Sequence, residues 1–69
     1  MNTKTITPIH VCDLIAHETV SLLSVLDEDA VPPAQWMRDG LALYAAAHQL
    51  EEETARHLNW IDDEIQRIR

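Results

Sequence analysis

Val31-Pro32-Pro33 divides this chain into two unequal parts. Each proline disfavours helical geometry in the residue before it, so a single helix should not run through this point. The segment before the corner can supply about 20 helical positions and the segment after it about 35, roughly 30 Å and 52 Å at the α-helical rise. A hairpin with such arms leaves about 20 Å of its second helix without cover from its own chain. That overhang still carries Leu58, Ile61, Ile65 and Ile68 on one stripe. The pattern predicts an all-α helical hairpin: a flexible N-terminus over 1–7, a helix over 8–28, a corner over 29–33 and a long helix over 34–68. Such a hairpin hides its stripe by pairing with a second copy, as a homodimer that forms an antiparallel four-helix bundle.

Size and composition agree with association. A chain of 69 residues is one domain at most, and domains this small seldom bury enough apolar area to stand alone without disulfides, metals or oligomerisation. The single cysteine, Cys12, excludes an internal disulfide and fits a reducing, cytoplasmic setting. Phenylalanine is absent, so the core must be aliphatic and rich in alanine. One glycine among abundant Leu, Ala, Glu and Ile favours helix over sheet. No apolar run reaches the length of a membrane span, and Met1 to Thr7 lacks the apolar region of a secretory signal.

Charge narrows the partners. Twelve carboxylates against five Lys or Arg leave a net charge of −7. Nucleic-acid binding depends on neutralising phosphates with cations, which argues against direct contact with DNA, RNA or anionic lipid. An acidic surface instead meets basic or mixed surfaces on other proteins. The plainer role of the same charge is solubility.

Along the first helix, Thr7 is an N-cap and Pro8 stands where its missing N–H is harmless. Cys12, Ile15, Thr19, Leu22 and Leu26 recur at spacings of three and four. Asp27, Glu28 and Asp29 then oppose the dipole at the helix end. In the second helix the expected dimer seam is Trp36, Gly40, Leu43, Ala47 and Leu50, resumed by Leu58, Ile61, Ile65 and Ile68. The steps from Leu50 to Thr54 and from Thr54 to Leu58 are both four, a stutter in the heptad.

Candidate sites are few. Asp13/His17, Glu53/His57 and His48/Glu51 are helical neighbours that could ligate a metal, but each also reads as an ordinary exposed charge pair, and no ligand set recurs. Neither a cofactor nor catalysis is expected, because nothing in the pattern builds a pocket around an acid–base pair. On the long helix, Trp60 shares a face with Glu53, Arg56, Glu64 and Arg67. An aromatic ringed by polar groups has the composition of an interface hot spot. The alternative is a Trp60 folded over the dimer seam. Trp60, Glu53, Arg56 and Glu64 are therefore the expected partner-binding residues, with the acidic corner Asp27, Glu28 and Asp29 beside them.

The stretch Leu14-Ile15-Ala16-His17-Glu18-Thr19-Val20-Ser21-Leu22-Leu23 resembles in rhythm the first helix of the plasmid repressor-of-primer hairpins, which pair into antiparallel four-helix bundles. Those proteins bind paired RNA loops through basic and polar side chains. Here the outward positions are Asp13, His17, Glu18, Ser21 and Ser24, so the resemblance implies architecture and not RNA binding. The function expected is that of a small acidic interaction module, an adaptor or inhibitor of a larger protein. Phage and mobile-element products that disable host factors often have this composition. The rivals are a metal-binding or metal-sensing bundle using His17, His48 and His57, and an acidic mimic of DNA.

Overall fold

The computed structural model describes residues 6–69, so most of the N-terminus expected to be flexible lies outside it. Three helices replace the two-helix hairpin: α1 over Pro8–Leu23, α2 over Val31–Ala47 and α3 over Glu51–Ile68. The all-α class stands; the long second helix does not.

The start of α1 follows the sequence signals. Thr7 is extended, and its hydroxyl accepts from the His10 N–H at 3.4 Å, while Pro8 opens the first turn. The end comes five residues earlier than expected. The Ser24 hydroxyl donates to the Ser21 carbonyl at 2.6 Å, and Leu26 adopts a left-handed φ of 57°. Asp27 then accepts from the Asp29 N–H at 2.9 Å and opens a single 3₁₀ turn over Glu28–Ala30. The acidic cluster thus caps a new turn instead of burdening the end of α1. Pro32 and Pro33 stand in the first turn of α2, and Val31 is helical with φ −67° and ψ −48°. First-turn N–H groups need no helical partner, so both rings are accommodated there.

The decisive departure is at His48-Gln49-Leu50, within the helix expected over 34–68. Gln49 takes a left-handed φ of 59°. Its N–H donates to the Ala46 carbonyl at 3.1 Å, and the Leu50 N–H reaches back to the Ala45 carbonyl at 2.8 Å. This pair of bonds is a Schellman motif, with glutamine where glycine is usual. Leu50 packs against the core, and Glu51, Glu52 and Glu53 open α3 where the dipole favours carboxylates.

After the turn, α3 lies against both other helices, and α1 also packs on α2. The core gathers Cys12, Ala16 and Leu23 from α1, Ala34, Leu41 and Ala45 from α2, and Ile61 and Ile65 from α3. Leu58 and Ile68 pack against it from the edge. The stripe read as an uncovered overhang is therefore covered within one chain. Two buried threonines differ in their satisfaction: the Thr19 hydroxyl donates to the Ile15 carbonyl at 2.7 Å, whereas the Thr54 hydroxyl has no hydrogen-bond partner. An unpaired buried hydroxyl loses its hydration without return. Thr54→Val should therefore raise stability by about 1 kcal/mol, read as a shift of the urea midpoint at unchanged slope. Gln49→Gly should also stabilise, by about 1 kcal/mol, since glycine removes most of the left-handed penalty. If Gln49→Gly loses stability in the same titration, Gln49 contributes contacts that outweigh its strain.

Candidate functional site

Two polar ties hold α3 in place. On one side Arg38 of α2 donates through Nε to Asp62 Oδ1 at 2.9 Å and through Nη2 to Oδ2 at 3.2 Å. The bidentate geometry makes this the stronger kind of exposed ion pair, and it holds the guanidinium more firmly charged than usual. Arg38 also lies 3.6 Å from Asp39. Beside it runs an open groove of about 550 Å³ between α2 and α3, walled by Gln35, Trp36, Arg38 and Asp62. Nothing in the sequence joined residues 24 positions apart in this way.

On the other side Asp13 of α1 is shared by two imidazoles. His57 Nε2 of α3 lies 3.0 Å from Asp13 Oδ1, and His17 Nε2 lies 3.4 Å from the same oxygen. The Asp13/His17 neighbour pair is therefore real, while His57 turns to Asp13 across the bundle instead of to Glu53. His57 Nδ1 faces inward without a hydrogen-bond partner. His48 stands apart against the Tyr44 ring, with centroids 4.5 Å apart. The three histidines of the metal reading do not converge, and among the described residues no group of three or more His, Cys, Asp or Glu side chains is placed to hold a metal ion.

Next to this cluster, Trp60 meets the His17 ring edge to face, with centroids 5.2 Å apart and planes at 80°. Arg56, His57 and Trp60 line a shallow depression of about 270 Å³. Trp60 thus does have an intrachain neighbour, contrary to the bare polar face read from the sequence, yet it remains 36% exposed. Glu53 and Arg56 are exposed nearby. Glu64 is engaged by Arg67 Nη1 at 3.0 Å. Asp27, Glu28 and Asp29 are exposed at one end of the bundle, where Glu28 faces Arg69 across a second depression. Arg69 is nine residues beyond Trp60, roughly 13 Å along α3. The expected partner-binding set therefore divides into two places.

The expected dimer seam divides as well. Ile61 and Ile65 are buried in the chain's own core, with Leu50, Leu58 and Ile68 at its margin. Trp36 is 74% exposed and Leu43 73% exposed, with Gly40 and Ala47 exposed between and beyond them. Trp36 stands outside the chain's own core: Ala34, Leu41 and Ala45 face inward, and Trp36 walls the groove beside α3. A Cβ added at Gly40 meets nothing within 4 Å in this chain.

No protein-family model matches the chain, and no curated protein or solved structure matches it either. Among the described residues no helix is long and apolar enough to cross a membrane.

The Asp13 cluster carries a pH dependence. The hydrogen bond from His57, aided by the charges of His17 and His10, holds the Asp13 carboxyl below its usual value of 3.8 against a smaller opposing effect of desolvation. A depressed carboxyl stabilises the folded state above that value and loses its contribution as pH falls through the folded one. Asp13→Asn should therefore melt lower than wild type at neutral pH, and the gap should close below about pH 4. A gap that persists unchanged at pH 3 would mean that packing, not ionisation, is lost.

Proposed function

We propose that this chain is a small acidic interaction module, an adaptor or inhibitor that docks on a larger protein and modulates its activity. The observation that carries this reading is the posture of Trp60. Its ring is steadied by His17, open to solvent over about a third of its surface, and flanked by Arg56 and the depression beside it. A pre-positioned aromatic loses little conformational freedom on binding and has the character of an anchor. Glu51, Glu52 and Glu53 at the start of α3, with a net charge of −7, favour a partner whose surface is basic or mixed. The reading includes a homodimer, supported now by the exposed face of α2 in place of an overhanging stripe.

Affinity capture with wild type and with Trp60→Ala, followed by titration of the recovered protein, tests the docking surface. Trp60→Ala should weaken that binding by about 2 kcal/mol or more. Loss of the His17 contact should lower folding stability by no more than about 1 kcal/mol. Binding should also weaken as salt is raised. Equal binding by both forms would remove Trp60 from the interface. Displacement of the captured protein by duplex DNA would favour the DNA-mimic reading.

A further inference from the structure

We propose that His17 is a proton-operated latch on Trp60: when its imidazole takes up a proton, the charged ring is held between the Asp13 carboxylate and the indole, and Trp60 is pinned against α1. This deepens the reading above by naming a control on the Trp60 face. The latch belongs to the folded chain alone, and only its effect on docking rests on that reading.

The geometry carries the argument. Asp13 and His17 are four residues apart, on one face of α1. Asp13 Oδ1 is approached by His57 Nε2 at 3.0 Å and by His17 Nε2 at 3.4 Å. A carboxylate only accepts, so each nitrogen meets it as an N–H. The same His17 ring lies against Trp60, with centroids 5.2 Å apart and planes at 80°. One imidazole therefore touches a carboxylate and an indole at once. While it is neutral both contacts are slight, because 3.4 Å is long for such a bond and two uncharged rings attract only modestly. A positive charge on the ring strengthens both together. The contact with Asp13 becomes an ion pair, and a cation within about 6 Å of an indole is drawn to its π-system.

The two imidazoles do not have equal room for a second N–H. His57 Nδ1 is buried and has no hydrogen-bond partner, so a proton added there would find neither water nor an acceptor. The His17 side chain is 61% exposed. His57 is accordingly the fixed tie between α1 and α3, and His17 is the ring that changes. The groups around them are few. On α1, His10 stands one turn before Asp13, and Glu18 follows His17. On α3, Arg56 borders the depression beside Trp60, Glu53 lies one turn before His57, and Glu64, one turn after Trp60, is engaged by Arg67. On α2, Arg38 and Asp39 are occupied with Asp62, and His48 is stacked on Tyr44. Carboxylates and guanidinium groups ordinarily keep their charge between about pH 5 and 8, where imidazole changes its own.

In a Trp36→Phe background Trp60 is the one tryptophan, and its emission reads the latch directly. From about pH 8 down to about pH 5, emission should fall, because a charged imidazole in contact quenches an indole, and its anisotropy should rise as the ring loses motion. Both changes should follow a one-proton curve with the helical circular dichroism unchanged. His17→Gln should abolish both, His57→Gln should keep both, and Asp13→Asn should shrink the rise in anisotropy. Flat emission and anisotropy through this range would overturn the proposal. So would changes that persist in His17→Gln or vanish only in His57→Gln. Capture of the larger protein at both pH values reads the consequence. A pinned indole has less ordering left to do, so the chain with His17 should gain affinity over His17→Gln at the lower pH. If Trp60 latches and the two forms capture alike, the latch stands and the Trp60 docking reading falls.

Discussion

The fold turns on one residue in an unfavourable conformation. Gln49 in the left-handed region lets α3 reverse direction, and everything that makes this chain a self-covered bundle follows from that reversal. Without it, Ile61 and Ile65 would extend past α1 with nothing to bury them. With it, they sit against Cys12, Ala16 and Leu41, and small side chains on α1 and α2 let the third helix approach. The Schellman bonds from Gln49 and Leu50 to Ala46 and Ala45 offset part of the local penalty. Burial of the α3 stripe supplies the rest, since a fully buried isoleucine is worth roughly 1.5–3 kcal/mol. Tertiary packing therefore outweighs backbone preference at position 49.

Much of α1 was legible for local reasons. Thr7 and Pro8 act through neighbouring backbone groups, and Cys12 and Ile61 are buried because any helix carrying these stripes buries them somewhere. The break at 48–50 was hidden because its usual marker is absent: the one glycine stands at position 40, and no rule assigns a left-handed turn to glutamine. Two signs were present. The four-residue steps after Leu50 record a change of helical phase, and Glu51, Glu52 and Glu53 are acids suited to the first turn of a new helix. A stutter in one helix and a break between two leave the same trace in spacing alone. The prolines misled in the opposite sense, because a first helical turn accepts them without disrupting anything.

The choice of an inner side on α2 has a related cause. α2 carries apolar residues over most of its circumference, so periodicity does not single out its inner side. The inner face carries Ala34 and Ala45, with Leu41 between them, while Gly40, Ala46 and Ala47 are exposed. Close packing of three short helices favours alanine at the contact and excludes an indole of Trp36's size. α3 has a strongly one-sided pattern, and there the sequence places the buried face correctly. What it missed was the neighbour waiting on α1: His17 supports Trp60, and His57 joins Asp13, through contacts that link opposite ends of the chain.

Charge is spread unevenly over the bundle, and it falls close to the Trp60 face. Carboxylates crowd the start of α3 and the turn after α1, while α2 is neutral overall, with Arg38 held between Asp39 and Asp62. The Trp60 face is shared by α1 and α3, because the ring that α3 carries is steadied by His17 of α1. An anchor so placed exists only while the two helices are packed together, and the Asp13–His57 contact beside it helps to hold them so. Folding and docking are therefore linked at this face: whatever loosens α3 from α1 also frees the indole, and the ordering that the fold has already supplied must then be paid at binding.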